Sequence, residues 1–195
     1  MRKLTRIVAS AALGALTLAG AGLVHQAEAQ EKHKIFLSMS FIGNDWQAEA
    51  ANMVKAMAAH ESLADKVDLK VQVAGPNAQR QIQQINAMVQ SGADAIVIFP
   101  ISPTALNSVV KNACDKGVLV FAYDAEITEP CAYNISIDQP EAGRVTAEWL
   151  VEKLGGKGDI VVVTGVPGTS VDNLRTQAAM EVFDQHPDIN VAVSY

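Results

Sequence analysis

From Lys34 onward, short apolar runs alternate with longer segments that are apolar on one side only. Residues 35–40 (IFLSMS) form a buried-strand pattern. A turn over 41–44 follows, and then a helix from Asp45 or Trp46 to Leu63, with Ala50, Met53, Val54 and Met57 at i, i+3, i+4, i+7. Residues 68–74 alternate as an edge strand does and close on Gly75-Pro76. Asn77 then caps a helix that presents Ile82, Ile85, Met88 and Val89 and stops at Gly92. The unbroken run 95–99 (AIVIF) predicts a central strand covered on both faces. Ser102-Pro103 reads as a cap with proline at the first helical position, opening a helix that buries Leu106, Val109, Val110, Ala113 and Cys114. Residues 118–123 are the next central strand, 125–130 a loop and 131–137 a fifth strand.

After Asp138 the rhythm restarts. A helix over 140–154, with Ala142, Val145, Trp149 and Leu150 inward, ends at Gly155-Gly156. A strand at 160–164, a glycine-containing turn at 165–170, a helix at 171–185 and a strand from 189 complete the chain. Strand and helix alternating over short connections predict right-handed parallel units, hence an α/β fold with flavodoxin-like or Rossmann-like parallel sheets. Residues 30–137 hold strands enough for one lobe, and residues 138–195 only part of a second.

The first 29 residues fall outside this scheme. Arg2, Lys3 and Arg6 precede an apolar stretch, and Ala27-Glu28-Ala29 supplies a small-residue cleavage site, so 1–29 reads as a secretory signal peptide. As a membrane anchor, the stretch is short and broken by Gly14, Gly20 and Gly22. Cutting 29 of 195 residues leaves 166, and with three basic side chains and one acidic one gone from 15 and 21, the net charge deepens from −6 to −8. An acidic exported chain with no basic run is repelled by nucleic acid phosphates. In an oxidising compartment Cys114 and Cys131, seventeen residues apart, are expected to form a disulfide; two buried thiols are the alternative.

Candidate chemistry gathers at the carboxyl ends of strands. In a sheet of order 2-1-3-4-5 the ends of the first, third and fourth strands converge, and ligands bind in the crevice beyond them. Asn44 and Trp46 follow the first strand, Phe99 ends the third, Asp124 follows the fourth and Asp138 the fifth. Asp124 is a carboxylate able to accept from ligand hydroxyls, or else a turn former. Trp46 offers an apolar platform for a sugar ring or packs at its helix start, and Asn44 bonds a ligand edge or caps the helix. Asn173 and Arg175 open the helix after TGVPGTS; Arg175 either presents a fork to the first block or pairs with Asp172. No catalytic or metal motif emerges: His33, His60 and His186 lie at a terminus or on helix ends, none near a strand end with a nucleophile, and Gly165 and Gly168 lack a dinucleotide spacing.

The segments SMSFIGNDW, NACDKGVLVFAYDAEITEPCAYNISIDQPEAGR and GVPGTSVDNLR resemble the periplasmic sugar-binding proteins of bacterial ABC importers, of ribose, xylose and rhamnose type. That resemblance implies two similar lobes joined by three hinge crossings and closing on a monosaccharide or sugar-like polyol. It also implies no cofactor, a monomer, a periplasmic location and an inner-membrane ABC permease as partner. It matches Asn44 and Trp46 to first-lobe sugar contacts and Asp124 to the aspartate that bonds ring hydroxyls. Asp138 falls at the first crossing, and Asn173 and Arg175 in the second-lobe contact region. Ala125 stands where ribose binders carry an arginine and Phe99 where they carry an asparagine, two departures that tell against ribose itself and leave the sugar open. Family members have about twice this length, so a fragment or prematurely ended product is expected, binding sugar alone at about millimolar strength or not at all. A ligand sensor for a chemoreceptor or histidine kinase, or an exported α/β enzyme, are the alternatives.

Overall fold

The computed structural model describes residues 31–194, so the expected signal peptide at 1–29 and Tyr195 lie outside the described residues. The element order is β1 (His33–Met39), α1 (Asp45–Ala59), β2 (Val67–Val73), α2 (Ala78–Gln90), β3 (Ala95–Phe99), α3 (Asn107–Asp115), β4 (Leu119–Tyr123) and β5 (Tyr133–Ile135). Then follow α4 (Gln139–Leu154), β6 (Gly158–Val163), α5 (Ser170–Phe183) and β7 (Ile189–Ser194). The first five strands form one sheet in the order β2-β1-β3-β4-β5, every neighbouring pair parallel, and β6 and β7 form a second parallel pair. Among the described residues no helix is long and apolar enough to cross a membrane.

Parallel strands need helices on both faces, and the core divides accordingly. Ile96, Ile98 and Val120 pack with Ile85 and Met88 of α2 and Val110 and Ala113 of α3. On the opposite face Leu37 and Met39 meet Ala51 of α1, with Val54, Leu69, Val71 and Val97 around them. The second pair is covered by α4 and α5 through Ala147, Val151, Val182 and Phe183. Val161 and Val163, on alternate positions of β6, stay 65% and 77% exposed, so among the described residues nothing covers that face of β6.

Three expectations need correcting. Ser102 caps no α-helix: its Oγ accepts from the N–H groups of Thr104 and Ala105, closing a turn, and α3 begins only at Asn107. In α1, Met53 and Met57 are exposed; the inward stripe runs through Gln47, Ala51 and Val54. In α4, Val145 and Trp149 face solvent, while Gly143, Ala147 and Val151 are buried. The reason is close approach. A Cβ on Gly143 would lie 2.3 Å from the Arg175 carbonyl oxygen, so α4 meets α5 backbone to backbone through its smallest residues.

The two cysteines form a disulfide, Cys114–Cys131, which staples the end of α3 to the segment entering β5. Beside it, Asn134 accepts from the Ile127 N–H at 2.9 Å and donates to its carbonyl at 2.8 Å, holding the 125–130 loop against the core.

Candidate functional site

Strand register sets the site. Met39 pairs with Phe99, and Ile98 with Ala122, so β1, β3 and β4 end nearly level. Ser40 N–H continues the ladder onto the Phe99 carbonyl at 3.0 Å. Gln81, fully buried, donates to the same carbonyl at 3.0 Å and accepts from Ile101 N–H at 3.1 Å, which fixes where β3 stops. Beyond these ends lies a cavity of about 680 Å³, within the range of about 300–1,000 Å³ usual for small-molecule sites. Its first wall carries Asn44, Trp46, Gln47, Phe99 and Asp124; its second comes from the β6–α5 turn and from α5, including Asp172 and Arg175.

The first wall is aromatic. The Trp46 ring lies 6.4 Å from both Phe99 and Tyr123, tilted to the former and stacked at 27° on the latter, and Phe99 and Tyr123 are 5.6 Å apart. Trp46 remains 54% exposed, which leaves one indole face open for an apolar ligand surface. Asn44 does cap α1, accepting from Gln47 N–H at 2.8 Å, and it also lines the cavity. Gln47 Oε1, Ser40 Oγ and the Tyr123 hydroxyl, all buried, have no hydrogen-bond partner among the described residues. Burial, with the nearby Asp124 charge, pushes the Tyr123 hydroxyl up, so it remains protonated.

Asp124 has φ of 59°, the only positive value among the described non-glycine residues. Ala125 N–H bonds back to the Tyr123 carbonyl at 2.7 Å across it, a tight turn of a rare kind. Backbone strain of this sort costs about 1–3 kcal/mol and collects at functional sites. Burial raises the Asp124 pKa above the ordinary carboxylate value, against the lowering effects of the Arg175 charge and the Gln139 hydrogen bond.

Arg175 bonds within its own block. Its Nε donates to Gln139 Oε1 at 2.5 Å, while Asp172, the other partner open to it, accepts from Gly165 N–H at 2.6 Å. Val171, Asp172, Arg175 and Thr176 form one stripe of α5 along the cavity. Asn173 lies off that stripe and is exposed, because a helix turns about 100° per residue. Asp138 also lies outside the cavity: it caps α4, accepting from Glu141 N–H at 2.9 Å, and borders a separate cleft between α4 and α5. The structure thus gathers Asn44, Trp46, Asp124 and Arg175 around one cavity and leaves Asp138 and Asn173 outside it. Sequence reasoning does not single out Tyr123, Gln47 or Gln139. Tyr123 carried a signal, an aromatic at the last position of a central strand; the two glutamines carried none.

The arrangement offers aromatic faces, a carboxylate and a glutamine oxygen as acceptors, and the remaining guanidinium nitrogens as donors. Such a site suits a small ligand with several hydroxyl groups and one apolar face. Residues 35–194 match the periplasmic binding protein domain, and the chain belongs to that family. It is similar to the D-xylose-binding periplasmic protein of Escherichia coli, 33% identical over 144 residues, which cover 73% of this chain and 42% of that protein. It is also similar to the xylitol-binding protein of Mycolicibacterium smegmatis, 30% identical over 129 residues, 66% of this chain and 37% of that one. Among solved structures, an ABC transporter solute binding protein from Thermobispora bispora superposes with a TM-score of 0.73 at 32% identity, covering 83% of this chain and 51% of that chain. The chain thus spans about half or less of the length of these relatives.

Proposed function

We infer that the protein is a solute receptor, not an enzyme, which captures a monosaccharide or sugar-like polyol and delivers it to an ABC permease at the inner membrane. In this reading it works in the periplasm. Residues 30–137 and 138–195 belong to its two lobes, and ligand sits between them. The observation that carries the reading is the single cavity onto which Trp46 and Asp124 from one block and Arg175 from the other converge. Trp46 stacks on the C–H face of the ring, Asp124 accepts from two hydroxyls, and Arg175 donates from the opposite wall. Relatives that bind xylose and xylitol support this ligand class.

Saturation-transfer NMR, which registers weak binding, provides the test. Transfer from the protein to D-xylose or xylitol is expected and is expected to vanish in Trp46→Ala and Asp124→Asn. Equal transfer to those variants, or none from the unaltered protein to any neutral sugar or polyol, overturns the reading.

A further inference from the structure

Gln139 is the first residue of α4, placed where the chain has just left the first sheet, and only 1% of it is exposed. A buried amide has to satisfy both its ends. Its Nε2 donates to the Asp124 carbonyl oxygen at 3.2 Å and to Asp124 Oδ1 at 3.4 Å, and its Oε1 accepts from Arg175 Nε at 2.5 Å. The helix itself does not call for glutamine here, since the capping bond comes from Asp138.

An amide is suited to this place because it is neutral and two-ended: the donor end meets the acid and the acceptor end meets the base. Asp124 and Arg175 are oppositely charged and near enough to feel each other, since the guanidinium lowers the carboxyl's pKa. Left alone, such a pair closes into a salt bridge and uses the groups a ligand would need. We propose that Gln139 is the positioning residue of the cavity, a neutral strut that holds Asp124 and Arg175 in register while keeping them from pairing directly. It holds Asp124 by the carbonyl of its strained residue as well as by its carboxylate, and it leaves the two terminal nitrogens of Arg175 as the open end of the fork. The proposal rests on the ligand-binding reading of this cavity, but its geometry can be tested without ligand.

Two variants have opposite expected effects on the carboxyl titration of Asp124, followed by carbon-detected NMR. The groups that act on Asp124 are Arg175, Gln139 and the neighbouring Tyr123, whose hydroxyl stays neutral. Gln139→Glu keeps a partner for Arg175 Nε but sets a second carboxylate against Asp124, so the Asp124 midpoint moves up and the Arg175 Nε–H stays slow to exchange. Gln139→Met, nearly the same shape without hydrogen bonds, lets Arg175 swing onto Asp124. The midpoint then moves down and saturation transfer to D-xylose is lost. Midpoints that stay in place, or that move the same way in both variants, overturn the proposal. Should Gln139→Met fail to fold, the glutamate variant decides: an upward shift with a protected Arg175 Nε–H supports the strut, and no shift refutes it. Opposite shifts in a protein that transfers no saturation to D-xylose would uphold the strut and sink the ligand reading instead.

Discussion

Gly143→Ala sets two well-defined effects against each other. Inside a helix, replacing glycine by alanine is normally favourable by about 1 kcal/mol. Here the added methyl would lie 2.3 Å from the Arg175 carbonyl oxygen and 3.0 Å from its carbonyl carbon and Cα. A comfortable carbon–oxygen contact is about 3.3 Å or more, so α4 and α5 would have to separate by about 1 Å. The obstacle is main chain and has no rotamer to change. Overpacking typically costs about 1–3 kcal/mol, and a backbone obstacle belongs at or beyond the upper end. Opening the joint also loosens Ala147 and Val151 against Val182 and Phe183. After the helix gain is subtracted, a net loss of about 2 kcal/mol is expected. Urea unfolding at constant m-value reads this as a lower midpoint. Because the residue struck is Arg175, saturation transfer to D-xylose should weaken in the same variant. A Gly143→Ala protein as stable as the original, or more so, would refute the reasoning.

Other outcomes follow from the same geometry. Replacing both Cys114 and Cys131 by alanine removes a crosslink spanning 17 residues and should cost about 3 kcal/mol, seen as a lower Tm that no longer responds to reductant. Asn134→Ala removes both bonds to the Ile127 backbone and should cost about 1–2 kcal/mol in chemical denaturation, with faster amide exchange confined to residues 125–130. Asp124 has a raised folded-state pKa, so the fold disfavours its charged form and the stability tied to its proton is lost as pH rises through that value. Asp124→Asn is therefore expected to unfold at a higher temperature than the unaltered protein at neutral pH, with the gap closing once pH falls below the ordinary aspartate range. Ligand binding should weaken over the interval in which Asp124 takes up its proton.

The order of the first sheet was legible because strands covered on both faces have to be apolar throughout, and 95–99 and 119–123 are nearly so. The positions of Asn44, Trp46 and Asp124 followed from strand ends alone. What misled were the helices whose buried stripes are built from small residues. Met53, Met57, Val145 and Trp149 are large apolar side chains of α1 and α4, yet they are exposed while Ala51, Gly143 and Ala147 are buried, and at Gly143 two backbones draw together. At α3, Ser102 kept its capping chemistry but spent it on a turn ahead of the helix. Gln139 was illegible for another reason: its partners are 15 and 36 residues away, and no local pattern joins them.

The left-handed backbone of Asp124 limits how this site could be retuned. Aspartate, asparagine and glycine tolerate such a conformation, whereas branched side chains do not. A library randomised at residue 124 would thus return few folded members, and none with a bulky group there. A change of ligand preference is more accessible at Phe99, which lines the same cavity on backbone of ordinary hand.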